Sequence, residues 1–334
     1  MFKPHMLVLL AALLACSMAG YAARSLEDVY PDDTDPLMGN YEGRWSEEED
    51  VDPEAAAQVI PLGRDRYRVI VLSKLDMRCP PKLDIEVRSK NNRIEFDEHG
   101  FHGKIADGVF TGGTGRMKTF RMEKVTRPIP TLGAKPPEGA VVLFDGTGFD
   151  AWTGAGGWKL LDGGVALLTP DGDNLKSKQK FKDARLHIEF RLPFLPRMRG
   201  QQRGNSGVFL QDTYEVQILD SYGLEGFCNE CGALYKVAAP KVNACRPPLQ
   251  WQTYDIEYHA PRYDDSGKLT ANPVMTVRHN GVLVHHQQEM PWITGWKEKD
   301  RLKPPPSEPL PIRLQSHHNY MQFRNIWLVE LPHE

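Results

Sequence analysis

The sequence predicts an all-β protein, a sandwich of two antiparallel sheets preceded by a small β-rich domain. Three observations carry this. Strand-length runs alternate apolar and polar residues: in "HIEFRL", Ile188, Phe190 and Leu192 oppose His187, Glu189 and Arg191, and in "YDIEYH", Tyr254, Ile256 and Tyr258 oppose Asp255, Glu257 and His259. The 29 glycines and 26 prolines are scattered along the chain, as short strands joined by turns require. Asn280-Gly281, set between two alternating runs, is a strong hairpin signal.

With 334 residues the chain is long enough for one large domain or two ordinary ones, and a net charge of -3 gives no electrostatic reason to expect nucleic acid as a partner. Residues 1–23 read as an export signal, because the run "MLVLLAALLA" is apolar but too short to span a bilayer. Small residues around Ala19 to Ala23 suit ordinary cleavage, whereas Leu13-Leu14-Ala15-Cys16 looks like a bacterial lipobox in which Cys16 would be lipidated and hold the protein at a membrane. Either route predicts a protein outside the cytoplasm, periplasmic, envelope-anchored or secreted. Residues 24–40 are acidic and turn-rich and predict a flexible tether.

Strand candidates "RYRVIVL", "KLDIEV", "RIEFD" and "MKTFRMEKV" make 41–128 a small all-β domain, in which no polar groups converge. The Pro-rich stretch 129–138 is a linker. The second domain, 139–334, holds "ARLHIEFRL", "SGVFLQ", "YEVQILD", "QTYDIEYHA", "PIRLQSH" and "FRNIWLVEL". "RYDDSGKLTANP" reads as a hairpin connection, and the long polar segment "PWITGWKEKDRLKPPPSEPL" as a lid beside a groove.

Beyond Cys16 the cysteines are Cys79, Cys228, Cys231 and Cys245. "CNEC" lacks the four ligands of a structural zinc site and the βαβ setting of a redox motif. A structural bridge suits an exported chain better. Closing Cys231 to Cys245 would contribute roughly 3 kcal/mol in the chain-entropy model, and Cys228 to Cys245 is the competing pairing.

The stretch "TYEVQILD" carries the chemistry. Tyr214, Val216 and Ile218 form a buried face, and Glu215 and Gln217 lie opposite. A bulge at Leu219, or the end of the strand, would bring Asp220 round to join them. The spacing resembles the acid-x-acid-x-x-acid strand of laminarinase-type β-glucanases, but Gln217 stands at the middle acid and the shorter Asp220 at the third. Double displacement needs two carboxyls about 5–5.5 Å apart, which these changes disfavour.

A fuller resemblance covers residues from about 138 to 333. "VLFDGTGFDAW", "GNSGVFLQ", "YEVQILD", "CGALY", "WQTYDIEY", "LQSHHN" and "FRNIWLVEL" together resemble the 3-keto-disaccharide hydrolase domain family, with His317-His318 where the family has one histidine. The resemblance implies a concanavalin-like jelly roll that cleaves 3-keto-glycosides by elimination and rehydration; no cofactor is expected, and no ligand cluster in the sequence demands a metal. Its partner would be an oxidised sugar, supplied by a sugar 3-dehydrogenase.

A ketone at C3 acidifies the C2 proton, so a base, a donor for the leaving oxygen and donors for the enolate are needed. Glu215, Asp220 and His317 are the catalytic candidates. Gln217, Asn205, Arg191, Arg324 and Tyr235 are the substrate-binding candidates. Plainer roles compete: Asp220 before "SYG" as a turn cap, Arg324-Asn325 as sheet bracing, Asn205 as a turn residue. A carbohydrate-binding module without turnover and a conventional β-glucanase are the alternative functions.

Overall fold

The computed structural model describes residues 25–46, 53–115, 118–295 and 298–333. The leader and Cys16 lie outside them. Nearly every described element is a strand, in keeping with the all-β jelly-roll reading.

Eight strands build the first sheet: β1 (Gly39–Trp45), β2 (Glu54–Gly63), β3 (Arg66–Leu72), β4 (Leu83–Arg88), β5 (Ile94–Glu98), β6 (Phe101–Ala106), β7 (Val109–Thr114) and β8 (Lys118–Val125). Their order is β4-β3-β2-β1-β8-β7-β6-β5, and a bridge between Ser89 and Ile94 joins the two ends. The sheet therefore curls back on itself and encloses Tyr41, Val69, Ile85, Ile105, Phe110 and Met122.

Two further sheets make the sandwich. The smaller has β10 (Trp152–Thr153), β13 (Leu175–Phe181), β22 (Leu310–Leu314), β15 (Ser206–Leu210) and β16 (Tyr214–Ile218), in that order. The larger runs β11 (Trp158–Leu161), β12 (Val165–Leu168), β23 (Met321–Glu330), β14 (Ala184–Arg191), β17 (Trp251–His259), β20 (Val274–His279) and β21 (Val282–Glu289), with β9 (Val141–Phe144) also on β23. Between them lie the apolar residues expected from alternation, including Tyr214, Val216 and Ile218 from one sheet and Ile188, Phe190, Tyr254 and Ile256 from the other, all 0% exposed. The buried tyrosine hydroxyls cross the core to acceptors: Tyr254 donates to the Gln217 carbonyl and Tyr258 to Gln211 Oε1, each at 2.6 Å.

The hairpin signals are realised. Asn280 (φ 54°) and Gly281 (φ 81°) turn β20 into β21, and β18 (Arg262–Tyr263) pairs with β19 (Leu269–Ala271).

The tether expected over 24–40 is instead fastened down across its described part. Ser25 and Asp28 form a reciprocal capping box on the short helix α1 (Leu26–Val29). Val29 packs against Leu195, both fully buried, and Tyr30 OH donates to the Arg191 carbonyl at 3.0 Å. Acidic composition signalled solvent, but Asp35 is used internally, accepting from the Leu37 and Met38 amides and from Tyr67 OH.

The two halves share a packed boundary. Ile60 and Ile70 of the first sheet join the sandwich core, and Tyr222 OH donates to Asn40 Oδ1 at 3.0 Å. Gly223 (φ 76°) is required here, because a Cβ would sit 2.5 Å from Ile60 Cγ1.

The expected bridge between Cys231 and Cys245 is not formed, and neither is the Cys228 pairing. Cys231 and Cys245 are buried thiols side by side. Cys231 Sγ contacts Tyr254 OH at 3.1 Å, and Cys245 Sγ turns to the Arg246 carbonyl at 3.5 Å. Cys228 is exposed.

The alternation in β14 predicts a solvated outer face, yet His187 and Glu189 are buried there. Residues 131–134 of the Pro-rich linker cover them. Gly133 N donates to Glu189 Oε1 at 2.6 Å, Thr131 Oγ1 donates to Asp255 Oδ2 at 2.6 Å, and the Ala134 carbonyl accepts from Asn325 Nδ2 and Trp327 Nε1. Burial would raise the Glu189 pKa, but His187, Asn325, Arg324 and the Gly133 amide outweigh it and hold the carboxyl at about 2.

Removing Glu189 would leave Arg324 and His187 without their shared acceptor. Glu189→Ala is expected to cost about 3 kcal/mol and to open residues 129–138 to thermolysin. An unchanged denaturant midpoint with an intact linker would contradict this.

Candidate active site

Antiparallel register decides which side chains share a face, because residues directly opposite each other point the same way. Glu215 lies opposite Phe209, and Phe209 opposite Arg313. Arg313 lies opposite Lys176. Beyond β16 the chain at 232–235 runs alongside, bridging Val216 to Leu234, and the Tyr235 amide donates to the Glu215 carbonyl at 3.1 Å. One row across the outer face of the smaller sheet is therefore Tyr235, Glu215, Phe209, Arg313 and Lys176. The next row holds Ala233, Gln217, Gly207 and Gln315, whose amide donates to the Gly207 carbonyl at 2.9 Å.

Glu215 is 5% exposed. Its carboxyl lies over Gly207, where a Cβ would come within 2.3 Å of Oε1, so only glycine leaves room for it. Burial pushes its pKa up to about 8, and Arg313 opposes the rise only in part. The Arg313 guanidinium stacks on Phe209, 3.4 Å from the ring centre, and bonds to Asp212, which Lys176 also reaches at 2.7 Å. Asp212 sits in the β15–β16 turn, where Gln211 (φ 46°) and Asp212 (φ 49°) both take the left-handed conformation.

Three segments roof the carboxyl. Thr294 Oγ1, from the predicted lid, accepts from the Glu215 amide at 3.0 Å and donates to the Thr213 carbonyl at 2.6 Å. The far end of that segment is held where Gln211 Nε2 donates to the Glu308 carbonyl. The 3-10 turn at Gly200–Gln202 supplies Gln201, whose Oε1 accepts from both Asn205 Nδ2 and Gln217 Nε2 at 3.0 Å. Tyr235 adds a phenol whose pKa is raised by burial and by the Glu215 charge.

The sequence-derived candidates divide in two. Glu215, Gln217, Asn205 and Tyr235 are brought together. Asn205 and Gln217 were expected to donate to an enolate, but their NH₂ groups are committed to Gln201. Their oxygens are enclosed without a donor among the described residues, at a cost of about 1–3 kcal/mol each. Bound hydroxyls, admitted by movement of the roof, would relieve that cost. His317 follows β22 outside the strand, and its carbonyl accepts from Asn319 Nδ2 at 2.7 Å. Partial burial and His318 beside it lower its pKa.

Asp220, Arg191 and Arg324 do not join them. Asp220 is 1% exposed, and its carboxylate is taken by Arg203 Nε at 2.6 Å and the Tyr222 amide at 3.3 Å. No bulge brings it round, because β16 ends at Ile218. Arg191 and Arg324 belong to the other sheet, where both stack on Trp251 and Arg324 pairs with Glu189 at 2.6 Å. Arg313 was missed, although it stands two residues before Gln315 on the polar face of "PIRLQSH". Among the described residues no group of three His, Cys, Asp or Glu side chains is arranged to hold a metal ion.

A jelly roll with an acid-bearing polar face is the frame of a glycosyl hydrolase-like, carbohydrate-active protein. Residues 139–329 match the 3-keto-alpha-glucoside-1,2-lyase-like domain, and the chain belongs to that family. A crystal structure of a candidate glycosyl hydrolase from Parabacteroides distasonis ATCC 8503 is 37% identical over 58% of this chain and 85% of its own, with a TM-score of 0.54. A second from the same organism, also a candidate glycosyl hydrolase, is 18% identical over 58% of this chain and 95% of its own, with a TM-score of 0.44. A comparison with curated proteins gives no match.

The Glu215 environment can be tested directly. Carboxyl-carbon NMR of the native protein should show Glu215 titrating near pH 8, and higher still in Arg313→Met, where the opposing cation is gone; an inflection at the ordinary glutamate value would refute the assignment. The same shift sets a stability slope. The folded chain binds this proton more tightly than the unfolded chain, so the contribution is intact below about pH 4.5 and is lost as pH rises through about 8. Glu215→Gln should therefore gain thermal stability relative to the native protein at pH 9 compared with pH 5.

Proposed function

We propose that this protein cleaves 3-keto-glycosides, with Glu215 as the base that takes the C2 proton. The observation that carries the reading is a desolvated carboxyl that, among the described residues, shares its face with amides and cations. Asp220 is paired with Arg203 in the interior, and Asp212 is held by Arg313 and Lys176. A double displacement with two carboxyls about 5–5.5 Å apart has no second acid in these rows. Elimination next to a ketone needs only one base.

A carboxyl whose pKa is about 8 accepts a proton far more readily than ordinary glutamate, which brings it nearer to the weakly acidic C2–H bond. As that bond breaks, its electron pair moves into the C2–C3 bond and the C3 oxygen becomes an enolate. Arg313, in the row of Glu215, is the cation suited to that charge. The enolate then collapses, the C1–O bond breaks, and the departing oxygen takes a proton. Tyr235, beside Glu215, is suited to donate it, and His317 is the alternative donor. Water adds to C1 of the resulting enone, and C2 regains a proton from Glu215. The net change is hydrolysis with no change in oxidation state, so no cofactor enters. The ketone must already be present, which requires a sugar 3-dehydrogenase acting earlier.

Incubation with 3-keto-trehalose or a 3-keto-glucoside in D₂O should yield hydrolysis products deuterated at C2. Glu215→Gln is expected to lower the rate by about 10²–10⁴-fold. The unmutated activity should rise with pH towards about 8, as Glu215 ionises. Faster cleavage of unoxidised glycosides, or an unimpaired Glu215→Gln protein, would overturn the proposal.

A further inference from the structure

A cavity of about 410 Å³ opens between the curled first sheet and the sandwich, and Glu215 is not among its lining residues. Its volume falls in the ~300–1,000 Å³ range of small-molecule sites. Arg246 lines it and is 5% exposed. The guanidinium Nε is enclosed with no acceptor, and no hydrogen bond to any part of this side chain is made among the described residues. The other two arginines in the wall are occupied. Arg68 forks onto Asp84 at 2.6 and 2.7 Å and donates to the Gly223 carbonyl, while Arg78 binds the carbonyls of Gly226, Pro240 and Lys241. A buried arginine without an acceptor is costly unless something supplies one.

What the cavity would hold follows from the rest of its wall. Three arginines face three acids, Asp76, Asp84 and Glu225. The cluster around Arg246 is likewise balanced, because Asp76 and Glu42 offset Arg246 and Arg127. The wall therefore lacks an acceptor oxygen rather than a negative charge. Asn40 and Gln58 add amides on one side, and Ile70, Leu72 and Leu75 form an apolar strip. An uncharged ring with hydroxyls around its rim and an apolar face meets these demands.

We infer that this cavity is a second saccharide site, which holds a neutral sugar against Arg246 and lies apart from the Glu215 face. The inference rests on the carbohydrate reading of the protein, but not on the elimination chemistry.

Cys79 lines the same cavity and is half-buried, so an occupant should shield its thiol. Alkylation of Cys79 in the full-length chain, read by peptide mass spectrometry, is compared without ligand and with trehalose, maltose, cellobiose, glucuronic acid or inorganic phosphate. At least one neutral disaccharide is expected to slow alkylation, by about tenfold at ten times its Kd. Protection should persist in Glu215→Gln, which separates this site from turnover. It should be lost in Arg246→Met, and also in Leu72→Trp, which fills the cavity while leaving the arginine in place. The inference is overturned if no neutral sugar protects Cys79, if protection survives in both cavity variants, or if only glucuronate or phosphate protects. A chain inactive on 3-keto sugars but still protected would refute the elimination chemistry and leave this site standing.

Discussion

Strand β16 has to serve the core and the chemistry at once, and strict alternation of its side chains makes that possible. Tyr214, Val216 and Ile218 are anchored in the sandwich, so Glu215 and Gln217 have no choice of direction. A slip of one residue would place a carboxyl among aromatic rings and a tyrosine in the roofed face, a penalty large enough to fix the register. The neighbouring strands inherit this constraint. Gly207 must be a glycine because Glu215 lies across it, and Arg313 reaches the same row only because β15 fixes its own register between β16 and β22.

The site also depends on what covers it. An exposed carboxyl would keep an ordinary pKa. The shift at Glu215 arises from burial, on a strand flanked by the turn at Gly200–Gln202, the run through Tyr235 and the segment carrying Thr294. None of these is a strand of the sandwich. In the larger sheet Glu189, bound by Arg324, Asn325 and the Gly133 amide, is pinned in the charged form, whereas Glu215 is pushed towards the neutral one.

Much of this was legible in the chain. Period-two alternation revealed the strands, and the ordered motifs of the second half revealed the family. Glu215 and Gln217 were readable because alternation alone assigns their face. Alternation does not say which sheet a polar face belongs to, so Arg191 and Arg324 were grouped with Glu215 although they lie on the other layer. Asp220 lies two residues past the end of its strand, where periodicity ceases and a partner seventeen positions upstream, Arg203, decides its direction. Arg313 carried the same signal as His317 and was passed over in favour of the histidine. The acidic stretch before Gly39 looked solvated because composition does not register that Asp35 is consumed by neighbouring amides and a phenol.

The described residues between Thr294 and Glu308 are moored at three places: Thr294 Oγ1 bonds to the Glu215 amide and the Thr213 carbonyl, the Pro305 carbonyl accepts from Tyr263 OH at 2.6 Å, and the Glu308 carbonyl accepts from Gln211 Nε2. At roughly 0.5–1.5 kcal/mol each, these four hydrogen bonds amount to about 2–6 kcal/mol together. Unhooking them all is therefore uphill, and an uncovered conformer would be a minor fraction of the ensemble. Ingress and egress would then be metered by that fraction, so the tempo of catalysis would be set by a few neutral hydrogen bonds to backbone groups rather than by the bonds being broken.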